Sequence, residues 1–415
     1  MKINKLIALF IAAMMTAPAA MAQIPSAYSK FGYGLLNDNA TSAQSQMGGV
    51  GYAMSSGRQI NVMNPASYAA IDSLTFLFDM GLDFTSIKST DTGLNPPAKD
   101  SQFGGGLDYL TMQVPIGKRF GASVGLLPYS SVGYSFGSEI KNGLNTRQGA
   151  GGLNQLYLGF AGRIVDGLSV GANISYMFGN VVNDIYVAAD NGSTSLFEHV
   201  TEVRDYHLLF GLQYHRTFAK DHTIGLGVTY SPRKSLLGHG WVVKYDLQAD
   251  EVPDTLARKS LHHNAALPET WGAGINYTWQ RRLMVEADFT YQPWSKVRML
   301  ELPAFESTRF TDRWRGALGA EYTHNPRGSY LSRLTTRIGG FYGKDYMTVG
   351  PNKVHEYGLS IGFGLPTLSS KTVINLGFEW RHRQASPQAM LKENYFSVKL
   401  GVNFNELWFF QNKIK

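Results

Sequence analysis

From Leu74 onward, apolar and polar residues alternate with a period of two along most of the chain. In residues 271–280, for example, tryptophan, isoleucine and tyrosine occupy one face of a predicted strand, while glycine, asparagine and threonine occupy the other. Residues 283–292, 374–381 and 396–405 show the same alternation. A period of two predicts β-strands that have one apolar face and one polar face.

The pattern predicts about fourteen strands. They fall at residues 74–88, 106–117, 120–136, 151–163, 167–188, 200–217, 222–246, 265–280, 282–299, 308–324, 331–348, 354–366, 371–384 and 393–408. Short turns largely alternate with long connections, which are predicted at 89–105, 137–150, 189–199, 247–264 and 385–392. Most strands span about 10–16 residues, whereas strands of soluble proteins average about 5–6. Strand length, aromatic caps on the apolar faces and this alternation favour an all-β fold, a transmembrane antiparallel β-barrel over residues 74–415, against a secreted soluble β-protein.

Residues 1–22 have the features of a secretory signal peptide. A basic start with Lys2 and Lys5 precedes a short apolar run, and Ala20-Met21-Ala22 forms a small-x-small cleavage site. Removing this segment lowers the net charge from +7 to +5, because it takes away two lysines and no acid. The remaining chain has no run of about 20 apolar residues that would predict a transmembrane helix. An exported chain of this kind is therefore soluble or a barrel.

Composition excludes several kinds of chemistry. The chain of 415 residues has no cysteine, which rules out disulfides, cysteine zinc sites and a thiol nucleophile. No cluster of lysine and arginine indicates a nucleic-acid partner. Gly133 to Gly137 and Gly167 to Gly171 match G-x-S-x-G, but both lie in strand-like sequence rather than at a strand-to-helix elbow. Neither the histidine spacing nor any phosphate loop predicts a metal or cofactor, so we expect no enzyme.

The segment before the strands, residues 23–73, does not alternate. Met47 to Ala70 is rich in glycine, alanine and serine, and it contains the run Gly-Gly-x-Gly-x-Ala from Gly48 to Ala53. It also contains Asn64-Pro65-Ala66, in which proline removes a backbone donor and asparagine tolerates turn geometry. On the residues alone, this motif is an ordinary turn before the first strand.

With the strands that follow, these motifs resemble the FadL-like outer-membrane transport family, most closely its divergent members in Bacteroidetes-type bacteria. The resemblance implies a fourteen-stranded barrel, residues 23–73 as a luminal hatch, and passive uptake of small hydrophobic molecules such as long-chain fatty acids. The implied hatch residues are Gly48, Gly49, Gly51, Asn64, Pro65 and Ala66. Two features depart from the family: its fatty-acid pocket residues are not recognisable here, and the chain ends in polar and basic residues after Trp408-Phe409-Phe410.

Pro128 lies within the third predicted strand, where proline removes a ladder hydrogen bond. One interpretation is that the strand simply ends near Leu127. In the family, a kink in the third strand opens a lateral route from the lumen to the bilayer. The resemblance thus implies a lateral opening marked by Gly125, Pro128 and Gly133.

If the apolar faces meet lipid, a set of charged residues points inward. They are Asp79, Asp83, Arg163, Glu286, Asp288, Arg313, Arg315, Glu321, Arg333, Arg337, Glu379, Arg381 and Lys399. We expect cross-strand pairing between the acidic ninth strand and the basic tenth and eleventh strands, and contacts with the hatch. Glu286, Asp288, Arg313, Arg315, Arg333 and Arg337 are the predicted luminal polar contacts. An arginine among them has the bidentate geometry suited to a substrate carboxylate.

The sequence therefore predicts a monomer in the outer membrane of a Gram-negative bacterium, in contact with lipid and a hydrophobic ligand. An even number of strands places both chain ends on the periplasmic side. The main alternative is a barrel of the same superfamily that serves as a secretion-system scaffold or shuttle and binds protein partners through its loops. A general porin is disfavoured, because a plug would block bulk flow.

Overall fold

A computed structural model describes residues 24–93, 96–140, 142–190, 194–247, 254–262, 266–297, 310–367 and 371–407. The predicted signal peptide therefore lies outside the described residues. The strands are β1 (Leu35–Leu36), β2 (Thr75–Asp91), β3 (Ala98–Ile116), β4 (Phe120–Ile140), β5 (Gly143–Val165), β6 (Leu168–Ala189), β7 (Thr194–Phe218), β8 (His222–Ser231), β9 (Lys234–Ser235), β10 (Gly238–Leu247), β11 (Asp254–His262), β12 (Ala266–Leu267), β13 (Thr270–Trp279), β14 (Leu283–Gln292), β15 (Arg313–Thr323), β16 (Thr335–Val349), β17 (Asn352–Pro366), β18 (Val373–Ser386) and β19 (Leu391–Leu407).

Fourteen of these strands form a closed antiparallel barrel. Strands β2 to β8 pair in chain order, β8 pairs with β13, and β13 to β19 again pair in chain order. The ladder between β19 and β2 runs over the whole of both strands and closes the wall. The ladder closes on itself and confirms the predicted all-β barrel; it is interrupted along part of the boundary between β3 and β4.

The outer face of the wall is apolar and carries aromatic residues near both ends. Leu318, Ile338 and Leu359 are among the most exposed side chains, as a lipid-facing band requires. Near one end, the rings of Tyr230 and Trp271 lie 4.4 Å apart, and neighbouring strands continue the aromatic row. The alternation read from the sequence therefore separates a lipid face from a luminal face.

Two predictions of strand extent are wrong. The connections predicted at 89–105, 137–150 and 189–199 are mostly strand, because paired strands continue to satisfy each other's backbone groups beyond the membrane band. The predicted strand 222–246 is three strands, because β8 ends at Ser231 before Pro232, which cannot donate to a ladder, and the two-residue β9 precedes β10. Strand β10 then pairs with residues 194–203 of β7 and forms a hairpin with β11.

Residues 24–73, which we call the inner segment, are surrounded by the wall. Short helical turns occur at Ala27–Lys30, Ser42–Ser45 and Pro65–Ala70. Their side chains are mostly buried, and they contact strands on several sides of the barrel. We call the end of the barrel with the turn at 117–119 the turn end, and the opposite end the loop end. Among the described residues, no helix is long and apolar enough to cross a membrane.

Candidate functional site

The lower part of the inner segment, residues 42–70, packs directly against glycines of the wall. A side chain at Gly227 would overlap the carbonyl oxygen of Tyr52, and one at Gly121 would overlap that of Tyr68. The same holds on other strands, where the wall glycines in contact with this part are Gly171, Gly211, Gly272, Gly274, Gly319, Gly339, Gly362, Gly377 and Gly401. The missing side chains let the backbone of the inner segment approach the wall closely.

Gly48, Gly49 and Gly51 lie in this lower part and are fully buried. Gly48 and Gly49 have φ angles of +70° and +74°, which side chains rarely tolerate, so glycine is required at both positions. The Gly48 amide donates to Ser360 Oγ at 2.8 Å, and its carbonyl accepts from Arg315 at 2.7 Å. The turn is therefore fixed to two wall strands.

Asn64, Pro65 and Ala66 form the start of the last helical turn of the inner segment. Asn64 caps this turn by accepting from the Ala66 amide, and its Nδ2 donates to the carbonyl of Tyr52 at 2.7 Å. Pro65 and Ala66 lie against Gly171 of β6. The motif thus joins two parts of the inner segment and seats them on the wall.

Wall carboxylates bind the backbone of the inner segment. Asp288 accepts from the amides of Gly51 and Tyr52 at 2.6 and 2.9 Å, and Glu286 accepts from Ala53 at 2.8 Å. The prediction that these acids pair with arginines of the next strands is wrong for the described residues. In the observed register, they lie opposite Ala317 and Gly319 of β15.

Three of the predicted luminal arginines contact the inner segment. Arg313 donates to Asp38 at 2.7 Å, and Arg315 lies 3.3 Å from the same carboxylate. Arg337 donates to Gln46 at 3.0 Å and pairs with Glu321 at 2.7 Å. Arg333 lies instead in the turn Leu331–Arg333, with its guanidinium over the ring of Tyr330.

The wall has a gap between β3 and β4. Their ladder runs from the turn end only as far as the pair Leu110 and Leu126. Beyond it, β3 continues with β2, and β4 continues with β5. Each strand has a β-bulge at the point of separation, at Asp108 in β3 and at Tyr129, beside Pro128, in β4. Bulges bend strands and end pairing, which accounts for the divergence.

Strand β1 covers the free edge of β4 in this gap. Leu35 pairs with Ser131 and Leu36 with Ser130, and the Asn37 amide donates to the Tyr129 carbonyl at 3.0 Å. The residues predicted to mark a lateral opening lie around this contact. Pro128 is at the bulge, Gly133 accepts from the Ser26 amide at 2.6 Å, and Gly125 lies in the paired part of β4, close to Tyr157.

A cluster of aromatic side chains fills the lumen toward the loop end. Tyr33, Trp294 and Tyr346 are fully buried, and Phe310 packs against them. The Tyr346 hydroxyl donates to the Gly34 carbonyl at 2.6 Å, which ties the cluster to the inner segment. The aromatic cluster is therefore an apolar part of the upper lumen, beside the buried ion pairs of Arg383 with Asp345 and Glu356.

A cavity of about 100 Å³ lies between the gap, the inner segment and strands β2, β18 and β19. Ile24, Leu35, Leu36 and Pro128 form its apolar side toward the gap. The opposite side carries the charged residues Asp38, Asp83, Asp108, Arg315, Glu379, Arg381 and Lys399. The cavity thus has a charged luminal side and an apolar side at the gap.

The catalytic look-alikes do not form a site. Ser135 lies within β4 and Ser169 within β6, so neither occupies a strand-to-helix elbow. The part of the chain that the structure describes also holds no group of three or more His, Asp or Glu residues arranged to bind a metal ion.

Sequence comparison matches residues 2–415 to the model of the BamG family. The chain belongs to the BamG family. A search of curated proteins gave no match for this BamG-family chain.

Solved outer-membrane barrels share the fold of this BamG-family protein. The toluene transporter TodX of Pseudomonas putida aligns with a TM-score of 0.64 and 17% identity, over 90% of this chain and 100% of TodX. A Pseudomonas aeruginosa FadL homologue aligns with a TM-score of 0.62 and 12% identity, over 89% and 99%. The toluene transporter TbuX of Ralstonia pickettii gives 0.57 and 15%, over 88% and 98%. The chain is a divergent FadL-like barrel of the Gram-negative outer membrane.

Sequence reasoning missed three residues that shape the site. Asp38 contacts two arginines, Asp108 is the bulged residue at the gap, and Leu36 belongs to the covering strand. A two-residue strand has too few positions to show a period. The bulge leaves a sequence trace, because Gly104, Gly105 and Gly106 interrupt the alternation just before Asp108.

Proposed function

We propose that this BamG-family barrel lets small hydrophobic molecules, such as long-chain fatty acids or monoaromatics, pass through the outer membrane. They enter the lumen at the loop end and leave through the gap between β3 and β4 into the bilayer. The observation that carries the proposal is the broken β3–β4 ladder, whose free edge is covered by the two-residue strand β1 and by hydrogen bonds that Ser26 and Asn37 donate to it. A short cover is displaced more readily than a full wall strand.

Three further observations support this route. The upper lumen is lined by apolar aromatic side chains, which suit an apolar ligand. Among the proteins of similar structure, TodX and TbuX are toluene transporters, and TodX is also a monoaromatic hydrocarbon channel. The lower part of the inner segment fills the barrel at the turn end, where it serves as the hatch and closes a direct aqueous path. The protein acts as a monomer and is not an enzyme.

A disulfide between β1 and β4 tests the exit. Leu36 and Ser130 are direct antiparallel partners, and such pairs lie within disulfide range. Because the chain has no cysteine, Leu36→Cys with Ser130→Cys forms one defined crosslink. We expect the oxidised protein to lose nearly all uptake of a fluorescent fatty acid by cells, and a reductant to restore it.

The control crosslink joins strands that are already paired. Thr217→Cys with Thr223→Cys links β7 and β8 near the turn end, where the two hydroxyls lie 2.9 Å apart. Uptake should be equal in its oxidised and reduced forms. Full uptake through the oxidised Leu36–Ser130 crosslink would show that the gap is not the exit.

The second candidate function is a scaffold that binds a protein partner. It is favoured by the hairpin β10–β11, because in the described pairings β11 bonds only to β10 and its residues 255–260 are exposed. Such an edge accepts a strand from another protein. Deleting residues 238–262 should leave uptake intact in a transporter. Loss of a co-purifying outer-membrane protein from this variant, with uptake absent in both proteins, would favour the scaffold.

A further inference from the structure

The cavity beside the gap has an excess of negative charge. Four carboxylates line it, from Asp38, Asp83, Asp108 and Glu379, against three cationic side chains. Three of these carboxylates have a cationic nitrogen close by, at 3.3 Å for Asp38, 3.6 Å for Asp83 and 2.9 Å for Glu379. Asp108 differs, because no ion pair joins it to any cation among the described residues. The neutral Asn37 lines the same cavity.

A β-bulge in strand β3 places Asp108 at this position. The β2–β3 register passes from Gly81 opposite Tyr109 to Leu82 opposite Leu107, which leaves Asp108 as the extra residue of the bulge. A bulge redirects a side chain that the regular pleat would place elsewhere. Two residues later, at Leu110, the ladder to β4 ends. The unpaired carboxylate and the start of the gap are therefore products of the same local geometry.

The surroundings of Asp108 are amphipathic. Lys399, Arg381 and Arg315 form their ion pairs with other carboxylates, so none of them is in ion-pair contact with Asp108. On the gap side, Leu35, Leu36 and Ile24 form an apolar surface. A cavity of about 100 Å³ holds a small polar headgroup and its first carbons, whereas a single water needs about 10–15 Å³.

We propose that this cavity binds amphiphiles with a cationic amine headgroup. The ammonium group donates to Asp108, while the alkyl or aryl tail lies along Leu35 and Leu36 and points into the gap. The inference rests on the proposed passage of hydrophobic molecules and adds cationic amphiphiles to them; fatty acids and monoaromatics pass without binding at Asp108. Its physical basis is that a carboxylate shielded from bulk water is stabilised by a cation and is unfavourable beside another anion.

Binding of three eight-carbon probes tests the headgroup preference. Octylamine, octanol and octanoate share a tail and differ in charge, so tail binding and headgroup binding separate. We would measure their saturable binding by equilibrium dialysis with the barrel in nanodiscs of zwitterionic lipid, and subtract empty nanodiscs. The wild-type protein should bind octylamine about tenfold more tightly than octanol, and octanoate more weakly than either.

Substitutions in strand β3 test whether Asp108 causes the preference for an amine headgroup. Asp108→Asn should lower octylamine affinity about tenfold and leave octanol unchanged, because the substitution removes charge and keeps shape. Asp108→Glu should keep the amine preference. Asp100→Asn is the matched control, since Asp100 is an exposed carboxylate on the same strand β3. Heat-modifiability on gels verifies that each variant forms a barrel.

The outcomes separate the two proposals. Equal binding of octylamine and octanol in the wild-type protein, or an equal loss of all three probes in Asp108→Asn, would overturn the amine site and leave the transport proposal standing. Absence of saturable binding by every probe would overturn both.

Discussion

The lower part of the inner segment and strand β1 lie in the same barrel but are held by different means. Residues 42–70 contact glycines on most wall strands. Their backbone amides donate to buried Glu286 and Asp288, and a backbone carbonyl accepts from Arg315. Strand β1 has a two-residue ladder on one edge of β4. The difference is one of attachment: the lower part is held by many strands at the turn end, whereas β1 is held along one strand edge at the gap. The proposed route relies on this difference, since it requires β1 to move while the lower part stays in place.

The largest expected effect on stability comes from adding a side chain where a wall glycine contacts the lower part of the inner segment. Gly227→Ala places a methyl group against the carbonyl oxygen of Tyr52, which is backbone and cannot rotate away. We expect this to lower the free energy of unfolding by about 3 kcal/mol. Urea unfolding followed by tryptophan fluorescence measures the change.

Gly316→Ala is the control for this substitution. The nearest atom to a methyl group there is the carbonyl oxygen of Tyr342 at 4.0 Å, so the wall has room for it. Equal stability of both variants would show that the close contact of the lower part is not what holds it.

An intermediate effect on stability is expected at Asp38, which lies between strand β1 and the lower part of the inner segment. Burial alone would raise the pKa of Asp38, but Arg315 and then Arg313 outweigh it and hold this pKa well below its usual range. Asp38→Asn leaves two arginines without this partner and should destabilise the protein by about 2 kcal/mol at pH 7. The same urea measurement detects it.

The pH dependence of that difference follows from the sign of the shift. A lowered pKa in the folded state means that the carboxylate stabilises the fold above the ordinary aspartate pKa. This stabilisation is lost as the pH falls toward the lowered value. The difference in free energy of unfolding between the wild-type protein and Asp38→Asn should stay constant from about pH 8 to 5 and shrink below about pH 4. A difference in free energy of unfolding that grows as the pH falls would contradict the ion pairs of Asp38.

The smallest effect on stability should come from a substitution in strand β1. Leu36 is only partly buried, so Leu36→Ala should cost about 1 kcal/mol or less. Uptake of the fluorescent fatty acid should nevertheless rise, because the cover binds the edge of β4 less well. A large loss of stability with unchanged uptake would make β1 a structural strand and remove the contrast with the lower part.

Much of the wall could be predicted because it depends on local order. Each membrane strand needs one lipid face and one luminal face, so its period of two is visible in the residues themselves. The segment 47–70 could be distinguished by the absence of that period. Its contact with the wall glycines could not be predicted, since it depends on how the inner segment is threaded through the barrel.

The sequence by itself determined an exported-type chain with about fourteen amphipathic strands, and that pattern is sufficient for a closed barrel because lipid tolerates no open edge. Only the tertiary structure decided where the wall opens. Pro128 pointed to an irregular strand, but the gap needs two bulges on neighbouring strands at the same height. The charge around Asp108 was likewise decided by folding, because its neighbours come from β1, β2, β18 and β19, far apart in the chain. Local alternation is written in consecutive residues, whereas a gap and an unpaired charge arise from register between distant ones.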